Sequence, residues 1–302
     1  MTSLSLLGLG AMGLPMSEVL LAHGQHPLTV WNRTASKAES LRQAGAAVAG
    51  TPADAAAPIT LTVLPDLVDV RSVVDGPTGL RAGWQTAGIR SPLLVVMGTV
   101  SPVSVREYAS ELATEGIRVV DAPLSGGVIG AREARLSIMA GGSRSDIEEL
   151  QPVFAVLGEI VRHMGPVGSG QLAKACNQMI VASTVSAVSE AMLLAREAGL
   201  NRSALLEILR GGLAGSEVLR QKGDNWVMES FEPGGTAAYQ LKDLGFALAA
   251  ASHARVDLPL TTTVRDMFAA LVDSGQGGLD HTGVFRELER RSTLVPVAGE
   301  PS

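Results

Sequence analysis

Cysteine is nearly absent from this chain: Cys176 is the only one in 302 residues. No internal disulfide can form, and a reducing compartment is the simpler expectation. Aromatic residues make up only 3% and charged residues 18%, against 46% hydrophobic, so the chain must pack a globular core mainly from Ala, Val and Leu. There is no excess of positive charge. The formal net charge is -6, which leaves out the basic footprint of a nucleic-acid binder and disfavours an anionic membrane surface. The histidines (His23, His26, His163, His253, His281) stand at no metal-ligand spacing, so no metal site is expected. No uncharged run reaches the roughly 20 residues of a membrane-spanning helix, and the N-terminus lacks the charged region of a signal peptide. A cytoplasmic protein without nucleic-acid or membrane partners is the expectation.

Glycine, by contrast, is abundant and placed. Ser3 to Leu7 is a short apolar run that fits a strand, and it leads straight into Gly8-Leu9-Gly10-Ala11-Met12-Gly13, followed by a helical pattern that stops at Gly24. This is G-x-G-x-x-G in its required context of strand, tight turn and helix. Gly8 makes the turn, Gly10 lets a pyrophosphate approach the backbone, and Gly13 lets the helix pack close to the sheet. The helix N-terminus offers N–H groups and a positive dipole end to the phosphates. The motif implies a bound dinucleotide.

The second strand, Leu28 to Trp31, ends at Asn32-Arg33-Thr34. An NAD site commonly carries an acidic residue near this point, about 20 residues beyond the glycines, to accept from the ribose 2′-hydroxyl. Here Asn32 removes the repulsion against a phosphate and Arg33 offers a planar fork of donors. NADP is therefore expected to be preferred, with NAD possible. Apolar strands at Ile59 to Leu64, Leu93 to Met97, Val119-Val120, Leu136 to Ala140 and Ile160 to Met164 alternate with helical stretches. That order predicts an α/β fold with a doubly wound parallel sheet. Strand carboxyl ends line the cofactor crevice in such sheets, which makes Leu64, Pro65 and Thr99 candidates to contact the nicotinamide half.

Two further stretches carry chemistry. Ser125-Gly126-Gly127 can turn backbone N–H groups and a hydroxyl into a cavity, a small anion cradle suited to a substrate carboxylate; a plain loop needing positive φ would read the same. Gly168 to about Glu197 is the longest apolar helical pattern, with hydrophobic residues on all sides of the wheel, and is expected to be buried all round. Lys174 lies in its first turn, with Asn177 and Gln178 three and four residues on, so an ammonium and two amides share one face. A desolvated lysine suits proton transfer, whereas a snorkelling lysine would keep its head in water. Beyond this helix the pattern is helical only, and Lys242-Asp243 falls inside one of the helices.

Taken in order, these stations resemble the 3-hydroxyisobutyrate dehydrogenase family of β-hydroxyacid dehydrogenases, which includes tartronate semialdehyde reductases. Gly8 to Gly13 matches its nucleotide motif, Asp121 to Gly127 its D-A-P-V-S-G-G motif with Leu124 for valine, Gly168 to Asn177 its G-x-G-x-x-x-K-x-x-N motif, and Lys242-Asp243-Leu244 its K-D-L motif. The resemblance spans nearly the whole chain. It implies a Rossmann-type domain over 1–165, an all-helical substrate and oligomerisation domain over 166–294 reached through a long inter-domain helix, and a loose tail over 295–302. It further implies that Lys174 is catalytic, that Ser125, Gly126 and Gly127 hold a small substrate's carboxylate, that Lys242 reaches the cofactor, and that the chain forms a homo-oligomer. Three positions depart from the pattern: Gln178 replaces a second asparagine, so either Asn177 or Gln178 can serve the reacting hydroxyl; Gly235 replaces an aromatic residue and enlarges or loosens the pocket; Val96 replaces an aspartate. The expected activity interconverts a small 3-hydroxy acid and its semialdehyde. An imine reductase-like enzyme on the same fold, or a noncatalytic NADP-binding scaffold, are the alternatives.

Overall fold

A computed structural model describes residues 2–293; the tail expected over 295–302 lies outside the described residues. The chain divides between Lys174 and Ala175 into two compact units.

The first unit is built on one sheet. β1 (Leu4–Leu7) pairs in parallel with β2 (Leu28–Trp31) on one side and β4 (Ile59–Thr62) on the other; β3 (Ala47–Val48) extends the β2 side, and β5 (Leu93–Val96) and β6 (Arg118–Asp121) extend the β4 side. The strand order therefore reverses at β1, which is the switch point where such sheets open a crevice beyond their carboxyl ends. Consecutive side chains of one strand feed opposite cores: Leu93 and Val95 join Leu4, Leu6 and Val30, while Leu94 and Val96 join Leu7, Val70 and Tyr108. Both faces are covered, which is why these strands read as unbroken apolar runs rather than alternating ones. The covering helices are α1 (Gly13–His23), α2 (Glu39–Gln43), α3 (Leu67–Asp75), α4 (Leu80–Thr86) and α5 (Pro102–Ala113), followed by α6 (Gly127–Arg132) and α7 (Arg144–Leu157).

The far edge of the sheet is not parallel throughout. β7 (Leu124–Ser125) and the end of β6 both pair antiparallel with β8 (Leu136–Gly141), and β9 (Gly158–Gly165) runs parallel to β8. β3 and β7 are two residues long, too short to carry any periodicity, and they escape a reading by pattern.

α8 (Ser169–Glu197) is 29 residues long. It is long and apolar enough in composition to cross a membrane, yet Ala182, Val185, Val188 and Met192 belong to the core of the second unit. Burial all round, expected from the wheel, is wrong: Ile180 is 69% and Leu194 70% exposed, and Leu172 and Cys176 are exposed with them. Their spacing of about four residues puts them on one stripe of the helix, so α8 has a buried face and an open apolar one. The second unit continues with α9 (Arg202–Gly211), α10 (Glu217–Met228), α11 (Ala237–Ala254), α12 (Pro259–Leu271) and α13 (Val284–Thr293). Its core uses the scarce aromatics centrally: Trp226, Phe268 and Phe285 are fully buried, and the Trp226 indole N–H donates to Ser189 Oγ at 2.8 Å.

Candidate functional site

The glycine turn sits at the carboxyl end of β1. Gly8 has φ +104°, and a Cβ there would collide with the Val63 carbonyl oxygen, so the first turn position admits only glycine. A Cβ on Gly13 would strike the Gly8 carbonyl oxygen, whereas one on Gly10 would meet nothing within 4 Å. The positions differ in kind: Gly8 and Gly13 are required by the fold itself, whereas the fold leaves the space beside Gly10 open. Met12 caps α1 without any side-chain hydrogen bond, and its first turn holds no acidic residue. Other helices of this unit, α3, α5 and α7, are capped by Asp66, Ser101 and Ser143. The first-turn N–H groups of α1 and the open surface at Gly10 thus fit a dinucleotide pyrophosphate.

Asn32 is more than a neutral substitute for an acid. Its Oδ1 accepts from the Leu9 N–H at 2.9 Å and its Nδ2 donates to the Thr34 carbonyl at 3.0 Å. One amide thereby ties the glycine turn to the loop after β2, where Arg33 and Thr34 are exposed. At the neighbouring strand ends, β4 stops at Thr62, so Leu64 and Pro65 lie in the following turn rather than in the strand. Gly98, just before Thr99, packs so closely on Leu64 that a Cβ would overlap the Leu64 carbonyl oxygen.

Ser125 closes β7, and Gly126 and Gly127 follow with φ +125° and +65°. Both glycines adopt a conformation that other residues avoid; the same conformation can turn successive N–H groups to one side.

Asp121 and Gln171 are the residues that reasoning from sequence missed. Asp121 ends β6 with 0% exposure. Its Oδ1 accepts from the Gly168 N–H at 2.6 Å and its Oδ2 from the Gln171 N–H at 2.7 Å. The carboxylate is thus the acceptor for the start of α8, with the favourable sign for a helix N-terminus. Gly170 is bare because a Cβ would overlap the Met139 carbonyl oxygen and lie 2.7 Å from that of Asp121, with Asp121 Oδ2 next at 2.9 Å. The available signals were an acid closing an otherwise apolar strand and its place at the head of the Asp121 to Gly127 motif, and neither says what it faces. Burial pushes the Asp121 carboxyl up to about 6, although the N–H groups of Gly168, Gln171 and Gly170 pull the other way.

This shift has a sign that can be tested. Between the unfolded value near 3.9 and about 6 the folded chain binds the proton more tightly, so the ionised carboxylate costs stability, in full above about 6 and not at all well below 4. A difference of about two units corresponds to about 3 kcal/mol. The stability of the wild type relative to Asp121→Asn should therefore rise by up to about 3 kcal/mol as pH falls from about 7 to about 4. Urea unfolding across that range checks it, and a difference that does not move with pH would contradict it.

Lys174, one turn beyond Gln171, is buried, with 8% of its surface exposed. In the second unit, Asn177 Nδ2 donates to Gln178 Oε1 at 3.1 Å, and Gln178 Nε2 donates to Asp243 Oδ2 at 2.8 Å. The two amides are linked in series, and Gln178 has both ends of its amide engaged. Lys242 lies 3.2 Å from Asp243 Oδ1 and 4.8 Å from the Phe246 ring centroid, and both members of this pair are shielded rather than solvated. Gly235 has open space where a side chain would stand, and its N–H donates to the buried Asp280. Burial pushes the Asp280 carboxyl up, but His281 and Lys222 outweigh it and hold it below the usual range. A cavity of about 230 Å³ in the second unit, lined by Ser203, Leu206, Glu207, Arg210, Asp224 and Val227, includes none of the residues singled out above.

Residues 3–165 match the model of the NAD binding domain of 6-phosphogluconate dehydrogenase, and residues 168–288 that described as NAD-binding of NADP-dependent 3-hydroxyisobutyrate dehydrogenase. A 2-hydroxy-3-oxopropionate reductase of Escherichia coli K12 is 35% identical over 288 residues, covering 95% of this chain and 97% of that protein. A solved 3-hydroxyisobutyrate dehydrogenase from Salmonella typhimurium superposes with a TM-score of 0.86 at 23% identity, covering 95% of this chain and 99% of that one. An imine reductase from Myxococcus stipitatus shares the fold at a TM-score of 0.62 and 19% identity, covering 95% of this chain and 99% of that one.

Proposed function

The chain belongs to the 3-hydroxyisobutyrate dehydrogenase family and is an NAD(P)-dependent hydroxyacid dehydrogenase, and from that premise we propose that it interconverts a small 3-hydroxy acid and its semialdehyde with NADP as the preferred cofactor and Lys174 as general acid and base. The observation that carries this reading is the burial of Lys174 on α8, one turn ahead of the amide pair Asn177 and Gln178. A nicotinamide cofactor held by the Gly8 to Gly13 turn would supply or accept the hydride. In the oxidative direction Lys174 takes the hydroxyl proton, and in reduction it returns one to the carbonyl oxygen. Its ammonium stabilises negative charge developing on that oxygen. Ser125, Gly126 and Gly127 hold the substrate carboxylate and so orient the reacting carbon. Asn177 or Gln178 offers the amide that meets the reacting oxygen, the two being linked to each other and, through Gln178, to Asp243. Gly8 to Gly13 hold the pyrophosphate, with Leu64, Pro65, Thr99 and Lys242 toward the nicotinamide half.

Arg33 sets the cofactor preference in this reading. Arg33 is exposed, so its charge-assisted hydrogen bonds to a 2′-phosphate are weakened by water, and Arg33→Ala should raise the KM for NADP roughly 10- to 100-fold and leave that for NAD within about threefold. Parallel titration with both cofactors reads this directly; equal losses for the two would remove the assignment.

The decisive experiment for the activity is a kinetic panel of short hydroxy acids and semialdehydes, 3-hydroxyisobutyrate and 2-hydroxy-3-oxopropionate among them, and of cyclic imines, with NADP(H) and NAD(H). Turnover confined to cyclic imines would transfer the chain to imine reduction, and no turnover across the panel would leave a binding protein.

A further inference from the structure

Gln171 is 1% exposed, and its side chain does something no neighbouring residue does. Oε1 accepts from the Val100 N–H at 3.0 Å and Nε2 donates to the Gly98 carbonyl at 2.8 Å. The residue bracketed by these two bonds is Thr99. A primary amide that pairs with the N–H on one side of a residue and the C=O on the other acts as a strand partner would, and it fixes the backbone of the residue between. The bracketed turn is itself wedged, since Gly98 lies against the Leu64 carbonyl. The other end of Gln171 is equally fixed: its main-chain N–H donates to the buried Asp121 carboxylate, as does that of Gly168. Gln171 is thus a rigid strut from the end of β6, through the first turn of α8, to the turn after β5.

The geometry points to Gln171 as a positioning residue that holds Thr99 at a fixed distance from Lys174. This rests on the reading of Lys174 and Thr99 as site residues. The strut leaves and Lys174 departs from the same helix turn, three residues apart, so movement of either the turn after β5 or the start of α8 alters the separation of Thr99 from the ammonium. Neither of the two bonded backbone groups has a ladder partner to fall back on: β5 ends at Val96 and α5 begins at Pro102. A hydrophobic replacement of the same length leaves a buried N–H and C=O without a bond, and the Thr99 turn loses its reference. Glutamate would put an acceptor against the Gly98 carbonyl, and asparagine is too short to reach both groups from the same backbone position.

The test is Gln171→Met, read three ways. Amide hydrogen exchange at Val100 in the cofactor-free protein should quicken by about tenfold or more, because that N–H has lost its acceptor. The kcat on the best substrate of the panel should fall about 10- to 100-fold, with the KM for NADPH within about threefold, as expected when only a transition-state arrangement is lost. In a Thr99→Ala background the same substitution should cost less than about threefold, since two residues acting as one unit are not additive. A kcat within about twofold of wild type in the folded variant, or losses that multiply in the double variant, would overturn the inference. Should Gln171→Met not fold, Gln171→Asn, which keeps the polarity but not the reach, carries the same three readings. Lys174→Ala is measured alongside: retained turnover there removes the functional reading, whereas lost turnover there with wild-type kcat in Gln171→Met removes only this inference.

Discussion

Replacing Lys174 by alanine should lower kcat by about 10² to 10⁴, the usual worth of general acid–base assistance, with NADPH bound as tightly as in the wild type. The lysine is held inside the protein, where an ammonium acts on a developing oxyanion in a low dielectric and without the reorganisation that water would need. Its removal also takes away the proton that must reach or leave the same oxygen. Two controls separate chemistry from packing. Lys174→Met keeps the stem that fills the space and should lose as much turnover as alanine. Lys174→Arg keeps a charge but cannot give up its proton near neutral pH, so it should retain binding and little turnover. Steady-state kinetics with thermal melts of each variant, and NADPH fluorescence for binding, settle the matter. A folded alanine variant with wild-type kcat would end the assignment.

The second large effect is expected at the glycine turn, where two glycines three residues apart should behave differently. Gly13→Ala places a Cβ onto the Gly8 carbonyl oxygen; the atom struck is backbone, so the turn itself must shift. Overpacking of this kind costs about 1–3 kcal/mol of stability. It also misaims the first N–H groups of α1, and losing two charge-assisted bonds to phosphate, at about 1.5–3 kcal/mol each, corresponds to about a 10²- to 10⁴-fold weaker cofactor affinity. Gly10→Ala meets nothing within 4 Å in the protein. It should melt like the wild type and still bind NADPH more weakly, because the added methyl occupies the path of the pyrophosphate. Calorimetric titration of both variants beside their melting curves tests the pair. A Gly10→Ala protein with wild-type affinity would mean that no phosphate approaches there.

The difference between these two glycines was visible only in part from their spacing. The motif marked all three positions as special, and it did so because a tight turn between strand and helix is a local event: residues no more than five apart in the chain settle it. The alternation of strands and helices was legible for the same reason, and so was the start of the long helix at Gly168. Where the pattern misled, a distant partner decided. A wheel covered with apolar residues does not say which face meets a core, and α8 proved to have Ile180 and Leu194 open while Val185 and Met192 are buried. The two-residue strands β3 and β7 exist only because longer neighbours pair with them.

The candidate site divides along the same line. Lys174, the amides after it, the serine-glycine turn and the nucleotide glycines could be named because each is a residue type whose chemistry shows in its immediate neighbours. Their supports could not. Asp121 reaches the start of α8 across 47 and 50 residues, Gln171 reaches the turn after β5 across 71 and 73, and Asp243 reaches Gln178 across 65. Each is a buried polar group whose worth depends wholly on having its bond made, and which partner makes that bond is a property of the packed chain. The sequence by itself determined the local pattern: a glycine turn between strand and helix, a serine-glycine turn, and a lysine with amides on one helix face. Only the tertiary structure decided what holds them, because burial and hydrogen bonding over such separations arise once the strands have paired and the helix has been capped.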